Sequence, residues 1–348
     1  GTGIVHIAPT FGADGDRVAR AAGIAPLFMV EKGGKKMPMV DRTGKFYLLD
    51  ELDEEFVRNN VDAKKYGEWQ GRYVKNAYDE ALKDSDTTLD IDIAVTLKAE
   101  NKIFKIEKHT HSYPHCWRTD KPVLYYPLDS WFIKTTALRD RMIELNKTIH
   151  WKPEYTGSGR FGKWLEGLVD WNLSRSRFWG TPLPIWATED RSELKCIGSI
   201  EELMGEIEKS IAAGVMKENP YRNFKVGDMS KENYSTDVID LHKPYVDSII
   251  LVSSKGEPMK RESDLIDVWF DSGAMPYAQQ HYPFEHGGKE FESLYPADFI
   301  AEGVDQTRGW FFTLHAIAVM LFDSVAFKNI ISNGLVLDKN GNKMSKRL

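Results

Sequence analysis

The chain has 348 residues, 42% of them apolar and 12% aromatic, with a net charge of −6. That length suits about two domains with real hydrophobic cores, and the acidic balance disfavours a general nucleic-acid coat protein while leaving room for local RNA contacts. Two cysteines, Cys116 and Cys196, argue against a disulfide framework, no apolar run approaches a membrane span, and a reducing, cytoplasmic setting is expected.

Residues 1–105 mix short strands and turns, punctuated by Gly33-Gly34-Lys35-Lys36 and Thr43-Gly44, with an acidic helical stretch near Glu54 to Asn60. Asp50-Glu51-Leu52-Asp53-Glu54-Glu55 reads as a solvated face. Character changes between His109 and Lys134, where Tyr113-Pro114 and Lys121-Pro122 precede Val123-Leu124-Tyr125-Tyr126. Helices are expected over 137–146, where Leu138, Met142, Ile143 and Leu145 keep helical spacing, and over 159–171. Leu183-Pro184-Ile185-Trp186 reads as a strand, and residues 187–260, rich in Lys and Glu, as an inserted and largely exposed subdomain. Strand at 298–301, helix at 306–322 and strand at 330–337 alternate, which predicts an α/β layer with a parallel sheet.

Four segments carry chemistry. Glu302-Gly303-Val304-Asp305-Gln306-Thr307-Arg308-Gly309-Trp310 falls between a strand end and a helix start, the crevice where open α/β sheets bind ligands. Glu302 and Asp305 can accept from hydroxyls or an amine, Gln306 can donate and accept, and Gly303 allows close backbone approach. Asp305 suits a plain helix N-cap equally well. Asp267-Val268-Trp269-Phe270-Asp271-Ser272-Gly273 reads as a buried strand ending in a turn, and Trp269 and Trp310 fit ordinary core aromatics too. Asp170 to Pro184 sets Arg175 and Arg177 among Trp171, Phe178 and Trp179 before a Gly-Thr-Pro turn. That suits contact with phosphates or an RNA end, or a surface with snorkelling arginines. Finally, Leu335-Val336-Leu337 and the Asn340-Gly341 turn read as a strand and tight hairpin leading to Lys343-Met344-Ser345-Lys346-Arg347. Two lysines on a short loop can hold a triphosphate and follow the pyrophosphate as it leaves.

Together these segments resemble isoleucyl-tRNA synthetases, within the class I aminoacyl-tRNA synthetases. Trp-x-x-Ser-Arg-x-x-x-Trp-Gly and Val-Trp-Phe-Asp-Ser-Gly are shared with the valine enzyme. Glu-Gly-x-Asp-Gln-x-Arg-Gly-Trp, and the opening Gly1-Thr2-Gly3-Ile4-Val5-His6-Ile7-Ala8-Pro9-Thr10-Phe11-Gly12, are more specific to the isoleucine branch. The resemblance covers essentially the whole chain. It implies an α/β fold in which the second half of a class I Rossmann-like nucleotide-binding domain, with an inserted subdomain, follows the C-terminal part of a mixed α/β editing domain. The implied divisions are 1–105 for the editing part, 106–186 for the return to the catalytic domain, 187–260 for the inserted subdomain and 261–348 for the Rossmann second half with its lysine loop.

The resemblance also implies roles. Trp269 and Trp310 would flank the isoleucine side chain, and Glu302, Gly303, Asp305 and Gln306 would contact the aminoacyl-adenylate. Lys343, Met344, Ser345 and Lys346 would bind ATP, the two lysines acting in catalysis. Mg²⁺ would come with the ATP, and tRNA(Ile) would receive the isoleucine. No side-chain nucleophile is needed, since positioning and charge stabilisation carry in-line attack on the α-phosphate. One missing methylene is worth only about 1–3 kcal/mol in an apolar pocket; isoleucine against valine is itself the standard illustration of that limit, and it makes a second, hydrolytic site necessary.

His6, Asp14 and Asp16 fall in the implied editing motif. Relatives read Gly-Ala-Asp/Glu-Asp there, the last aspartate gripping the substrate's amino group, whereas this chain has Gly12-Ala13-Asp14-Gly15-Asp16. Gly15 in the aspartate's place predicts weakened editing. His109, His111, His115 and Cys116 lack the paired cysteines of some relatives, so no zinc or other metal is expected in this segment. The chain starts without methionine, ends at the lysine loop and has no His-x-Gly-His signature, which predicts an internal piece of a longer ligase, inactive alone. Two other readings stand beside it: an editing-only aminoacyl-tRNA deacylase and an inactive tRNA-binding fragment.

Overall fold

The computed structural model describes residues 7–83, 85–116, 118–286, 288–342 and 344, and the chain divides into two compact units, Gly1–Asp129 and Ser130–Leu348. The first unit has a small core. After α1 (Ala13–Ala21), the two-residue strands β1 (Met29–Val30) and β2 (Lys36–Met37) pair antiparallel across the Gly33-Gly34 turn. Then α2 (Glu54–Asn60) forms where the acidic run placed it. Asp53 caps it, accepting from the Phe56 N–H at 2.8 Å, with Glu54 and Glu55 in the first turn and Arg58 in the last, each charge matching the helix dipole. Buried Met29, Met37 and Leu52 pack with Phe56, Val57 and Tyr66, and α3 (Leu89–Ala99) follows. The change of composition near His109 lies within this unit. Both cysteines are free thiols.

The second unit runs through α4 (Arg139–Asn146), β3 (His150–Lys152), a π-helical turn at Thr156–Phe161, α5 (Gly162–Glu166) and β4 (Ser174–Arg175). Next come β5 (Ile185–Ala187), β6 (Leu194–Cys196), α6 (Ile200–Ala212), β7 (Ile250–Val252), β8 (Pro258–Arg261) and β9 (Leu265–Ile266). It closes with α7 (Val268–Ala278), β10 (Ala297–Gly303), α8 (Trp310–Phe322) and β11 (Phe327–Asn333). The strands β10, β11 and β3 form a parallel sheet in that order, with Ala297 opposite Phe327 and Ile330 opposite Trp151. Between β10 and β11 the chain makes α8, apolar on every side, as a helix sunk in a core must be. Its Phe311, Leu314, Ile317 and Ala318 are buried with Met142, Trp151, Phe161, Leu165, Phe327 and Ile330. Asp323 ends it in the left-handed conformation (φ 49°), and its carboxylate takes a two-pronged grip from Arg141, at 2.6 and 3.0 Å.

The expected α/β alternation with a parallel sheet is therefore present, and the chain is a mixed α/β protein. Several local expectations change. Val268 to Gly273 is the start of α7, not a buried strand; Asp267 has the extended backbone and short acceptor of an N-cap, and that outweighs the β-prone Val-Trp-Phe run. The helix expected over 159–171 stops at Glu166, and Trp171 begins a strand. The helix expected from Gln306 breaks into a 3₁₀ turn, Val304–Arg308, before α8 starts after Gly309. Strand β11 stops at Asn333, so Leu335-Val336-Leu337 lies beyond it, although the Asn340-Gly341 turn forms with Gly341 at φ 82°.

Residues 187–260 are not merely an exposed insert. They supply three strands of a four-stranded antiparallel sheet, ordered β6-β5-β8-β7, and a core in which Leu203 and Ile207 of α6 meet Trp186, Tyr221, Phe224, Ile249, Leu251 and Met259. Lys and Glu dominate the composition because they coat this core.

Candidate functional site

Strand β10 ends at Glu302-Gly303, at the carboxyl edge of the parallel sheet, and the 3₁₀ turn carries Asp305 and Gln306 to the start of α8. Glu302 is exposed; Gly303, Asp305 and Gln306 are half-buried. A Cβ on Gly303 would lie 2.6 Å from the Asp305 carboxylate oxygen Oδ1, so the glycine makes room for its own neighbour. Thr307, fully buried, fixes the turn: its hydroxyl donates to the Val304 carbonyl at 2.7 Å and accepts from Arg160 Nε at 2.9 Å. The helix-capping acceptor is Gln306 rather than Asp305, because Gln306 Oε1 takes the Trp310 N–H at 3.1 Å. Gln306 thus keeps its amide NH₂ for other partners.

Helix α7 brings Trp269 to the same place. A Cβ on Gly309 would sit 3.2 Å from the Trp269 ring and 2.9 Å from Gln306 Oε1, so only glycine fits between them. Trp310 Nε1 donates to the Ser272 carbonyl at 2.9 Å, which ties the start of α8 to α7. Trp269 is 41% exposed and Trp310 half-buried, so neither is an ordinary core ring. Trp269, Gln306, Gly309 and Trp310, drawn from two separated motifs, are assembled around one strand end.

Beneath them lies a residue whose role the sequence did not disclose. Asp267 is 4% exposed and accepts three bonds: from Arg175 Nη2 at 2.6 Å, from Trp171 Nε1 at 3.1 Å and from the Trp269 N–H at 3.3 Å. The antiparallel pair of β4 with β9, Leu265 opposite Arg175 and Ile266 opposite Ser174, delivers those donors. The Trp-x-x-Ser-Arg segment therefore serves as the frame that seats the Trp269 helix. Its signal in the sequence was the recurrence of Trp, Arg and Asp in two short motifs, without any clue that they bond. Next to it, burial pushes the Asp271 carboxyl above the usual carboxylate range, the Asp267 charge adds to this, and the Thr181 hydroxyl at 3.2 Å pulls the other way.

The remaining sites stand apart from this assembly. Asp14 and Asp16 lie on α1 of the first unit, paired with Arg17 at 2.9 Å and Arg20 at 2.8 Å. A Cβ on Gly15 would meet Ile7 Cγ2 at 3.0 Å and the Ala8 carbonyl at 3.2 Å. Met344 is exposed, while His6, Lys343, Ser345 and Lys346 lie outside the described residues. The approach to that loop is firm: Asp338 Oδ1 accepts from the N–H groups of Asn340 and Asn342 at 2.8 Å each, which holds its carboxyl below the usual range. His109 and His111 stack at 5.9 Å, and no cluster of three metal-ligating side chains occurs among the described residues.

Residues 51–348 match the sequence profile of the tRNA synthetases class I (I, L, M and V), and the chain belongs to that family. Along its whole length it is 70% identical, over 353 aligned residues, to the isoleucine–tRNA ligase of Bacteroides fragilis strain ATCC 25285, covering 31% of that protein. It is 64% identical to the isoleucine–tRNA ligase of Porphyromonas gingivalis, covering 30% of it, and 42% identical to that of Thermus thermophilus, with 99% of this chain and 27% of the relative aligned. The chain thus spans about a third of the length of the curated relatives it matches. A solved methionyl-tRNA synthetase of Mycobacterium tuberculosis, in complex with methionyl-adenylate, aligns with 98% of this chain and 50% of its own at 14% identity and TM-score 0.36. That likeness is too faint to bear on the fold. No helix among the described residues is long and apolar enough to cross a membrane.

Proposed function

We propose that this chain carries the second half of the isoleucine-activating site of an isoleucine–tRNA ligase, an ATP-dependent enzyme that charges tRNA(Ile). The observation that carries the reading is the meeting of Trp269, Gln306, Gly309 and Trp310 at the carboxyl end of β10. The two tryptophans offer apolar surface to a branched side chain. Glu302, Asp305 and the spare amide of Gln306 offer acceptors and a donor to the amino group and ribose of an adenylate. Gly303 and the turn after it keep that edge open. Lys343 and Lys346, flanking Met344 and Ser345, would neutralise the triphosphate as pyrophosphate leaves, and Mg²⁺ would arrive on the ATP phosphates. In this reading 1–105 is editing-domain sequence, 106–186 and 261–348 are catalytic-domain sequence and 187–260 is an insert, in a cytoplasmic enzyme.

A protein of the relatives' length bearing these residues should exchange pyrophosphate with ATP when isoleucine is supplied. The Trp269→Ala change should raise the KM for isoleucine at least tenfold, and Lys346→Ala should lower kcat a hundredfold or more, in the range seen for loss of one preorganised charge contact. Unchanged kinetics in both variants would sink the assignment. The 348-residue chain alone should show no exchange.

Hydrolysis of mischarged valine is the second activity of the same reading, with His6, Asp14 and Asp16 at its motif. Asp14 and Asp16 are held by arginines on their own helix, which supports a loss of carboxylate function where Gly15 stands. A Gly15→Asp variant of the full-length protein should deacylate Val-tRNA faster than its parent; equal rates would refute weakened editing.

A further inference from the structure

The Trp-x-x-Ser-Arg motif does not end at the frame it builds around Asp267. Past Arg175 the chain turns outward, and Phe178 and Trp179 stand 74% and 65% exposed. Trp179 is not a loose ring. It stacks face to face on His242, centroids 4.4 Å apart and planes 13° from parallel. The histidine is itself fixed, because Asp240 Oδ1 accepts from its Nδ1 at 2.7 Å and from its backbone N–H at 2.9 Å. With one face on His242 and two-thirds of its surface still in water, Trp179 presents its opposite face to solvent. Tyr245, 58% exposed, is three residues from His242.

The charges beside this ring are positive. Lys243 Nζ donates to the Arg177 carbonyl at 3.3 Å, which sets the two cations side by side. Neither has a carboxylate partner among the described residues. The neighbouring acids are engaged elsewhere: Asp240 with His242, Asp247 with Arg261 Nε at 2.6 Å, and Asp264 with the Ser176 hydroxyl at 3.1 Å. On a chain of net charge −6, a pinned, open indole next to two uncompensated cations is a local reversal of sign. Stacking surface alternating with positive charge is the chemistry that holds unpaired nucleotides, the ring taking a base and the cations the flanking phosphates. A protein partner would call for a concave apolar anchor site, whereas this ring projects.

We propose that Trp179, backed by His242 and flanked by Arg177 and Lys243, is a stacking platform for a single-stranded RNA end. The proposal rests on the reading of this chain as tRNA-handling, and it adds the element that would grip the unpaired end.

The test uses the 348-residue chain and two fluorescein-labelled RNA hairpins, one with a four-nucleotide 3′ single-stranded tail and one blunt, with binding read by anisotropy. The tailed hairpin should bind more tightly than the blunt one. Trp179→Ala should weaken the tailed hairpin about tenfold or more and leave the blunt one unchanged, and Trp179→Phe should restore most of the loss. Lys243→Gln should flatten the salt dependence of the tailed hairpin by about one phosphate contact, a slope change of about 0.7. Equal affinity for the two hairpins, or a Trp179→Ala chain that binds the tail as well as its parent, would overturn the proposal. So would a chain that self-associates through Trp179, shown by a dimer that Trp179→Ala abolishes. Because RNA affinity is measured on a chain not required to activate isoleucine, failure here leaves the ligase assignment standing or falling on pyrophosphate exchange alone.

Discussion

Asp267 concentrates the cost of holding the site together. A buried carboxylate is tolerated only when its charge is matched and its lone pairs are used, and here a guanidinium, an indole N–H and a helix N–H supply all three. Removing the carboxylate strands two donors and uncaps α7 at once. Asp267→Ala should therefore destabilise the second unit by about 2–4 kcal/mol, somewhat less than the ~3–5 kcal/mol for a fully buried pair, because the Arg175 side chain remains 36% exposed. Asp267→Asn keeps an acceptor for the indole and the cap and loses only the charge, so it should cost less. Urea unfolding followed by near-UV circular dichroism measures both. Midpoints indistinguishable from wild type would show that Arg175 and Trp171 find other partners. The same residue explains why Trp269 was misplaced in a strand by its neighbours' propensities: a cap made by a carboxylate with three partners is a tertiary fact, and no window of sequence contains it.

At the scale of elements, helix α8 against helix α7 sets the distance between Trp269 and Trp310. Gly273 is what lets them approach: a Cβ there would sit 2.9 Å from Ile317 Cδ1 and 3.1 Å from the Thr313 backbone carbon. Alanine is the better helix former by about 1 kcal/mol, yet the overpacking penalty of ~1–3 kcal/mol falls on backbone that cannot rotate away. Gly273→Ala should lower stability by about 1 kcal/mol, whereas Gly205→Ala on α6, where a Cβ meets nothing within 4 Å, should raise it by roughly a few tenths to 1 kcal/mol. Opposite shifts in thermal midpoint confirm the packing argument; two gains would refute it. Elements whose signal is local were legible in the sequence. Examples are α2 with its Asp53 cap, the parallel β10–α8–β11 alternation and the Asn340-Gly341 turn. The core under residues 187–260 was not, since Leu203, Ile207, Tyr221, Ile249 and Met259 are scattered among charges and meet only after folding. The site was half legible: its residues stood out as motifs, but Gln306 as cap and Asp267 as anchor depend on distances between segments.

Across the whole molecule, the two units differ most in how much apolar surface they bury. In residues 1–129 the buried apolar side chains are Ala19, Met29, Met37, Val40, Leu52 and Leu89, among the described residues. Its strands are two residues long, and between Ala99 and Phe132 there is no helix or strand among the described residues beyond one isolated bridge, His115 to Pro122. Residues 130–348 hold two separate cores, one around α8 and one around α6, each with buried Trp, Phe, Leu and Ile. Local opening is cheapest where few apolar contacts and few interior hydrogen bonds must be broken. The first unit should accordingly open at lower free energy than the second. Its exposed Lys102, Lys105, Lys108 and Lys121 lie in the segment without regular structure, where trypsin needs little unfolding to act. Limited trypsin digestion of the 348-residue chain should cut within 1–129 first and leave a resistant product beginning close to Ser130. Urea should then resolve two transitions, the lower one missing from that product. A single cooperative transition, with cleavage spread evenly over the chain, would mean that the first unit is as firmly held as the second.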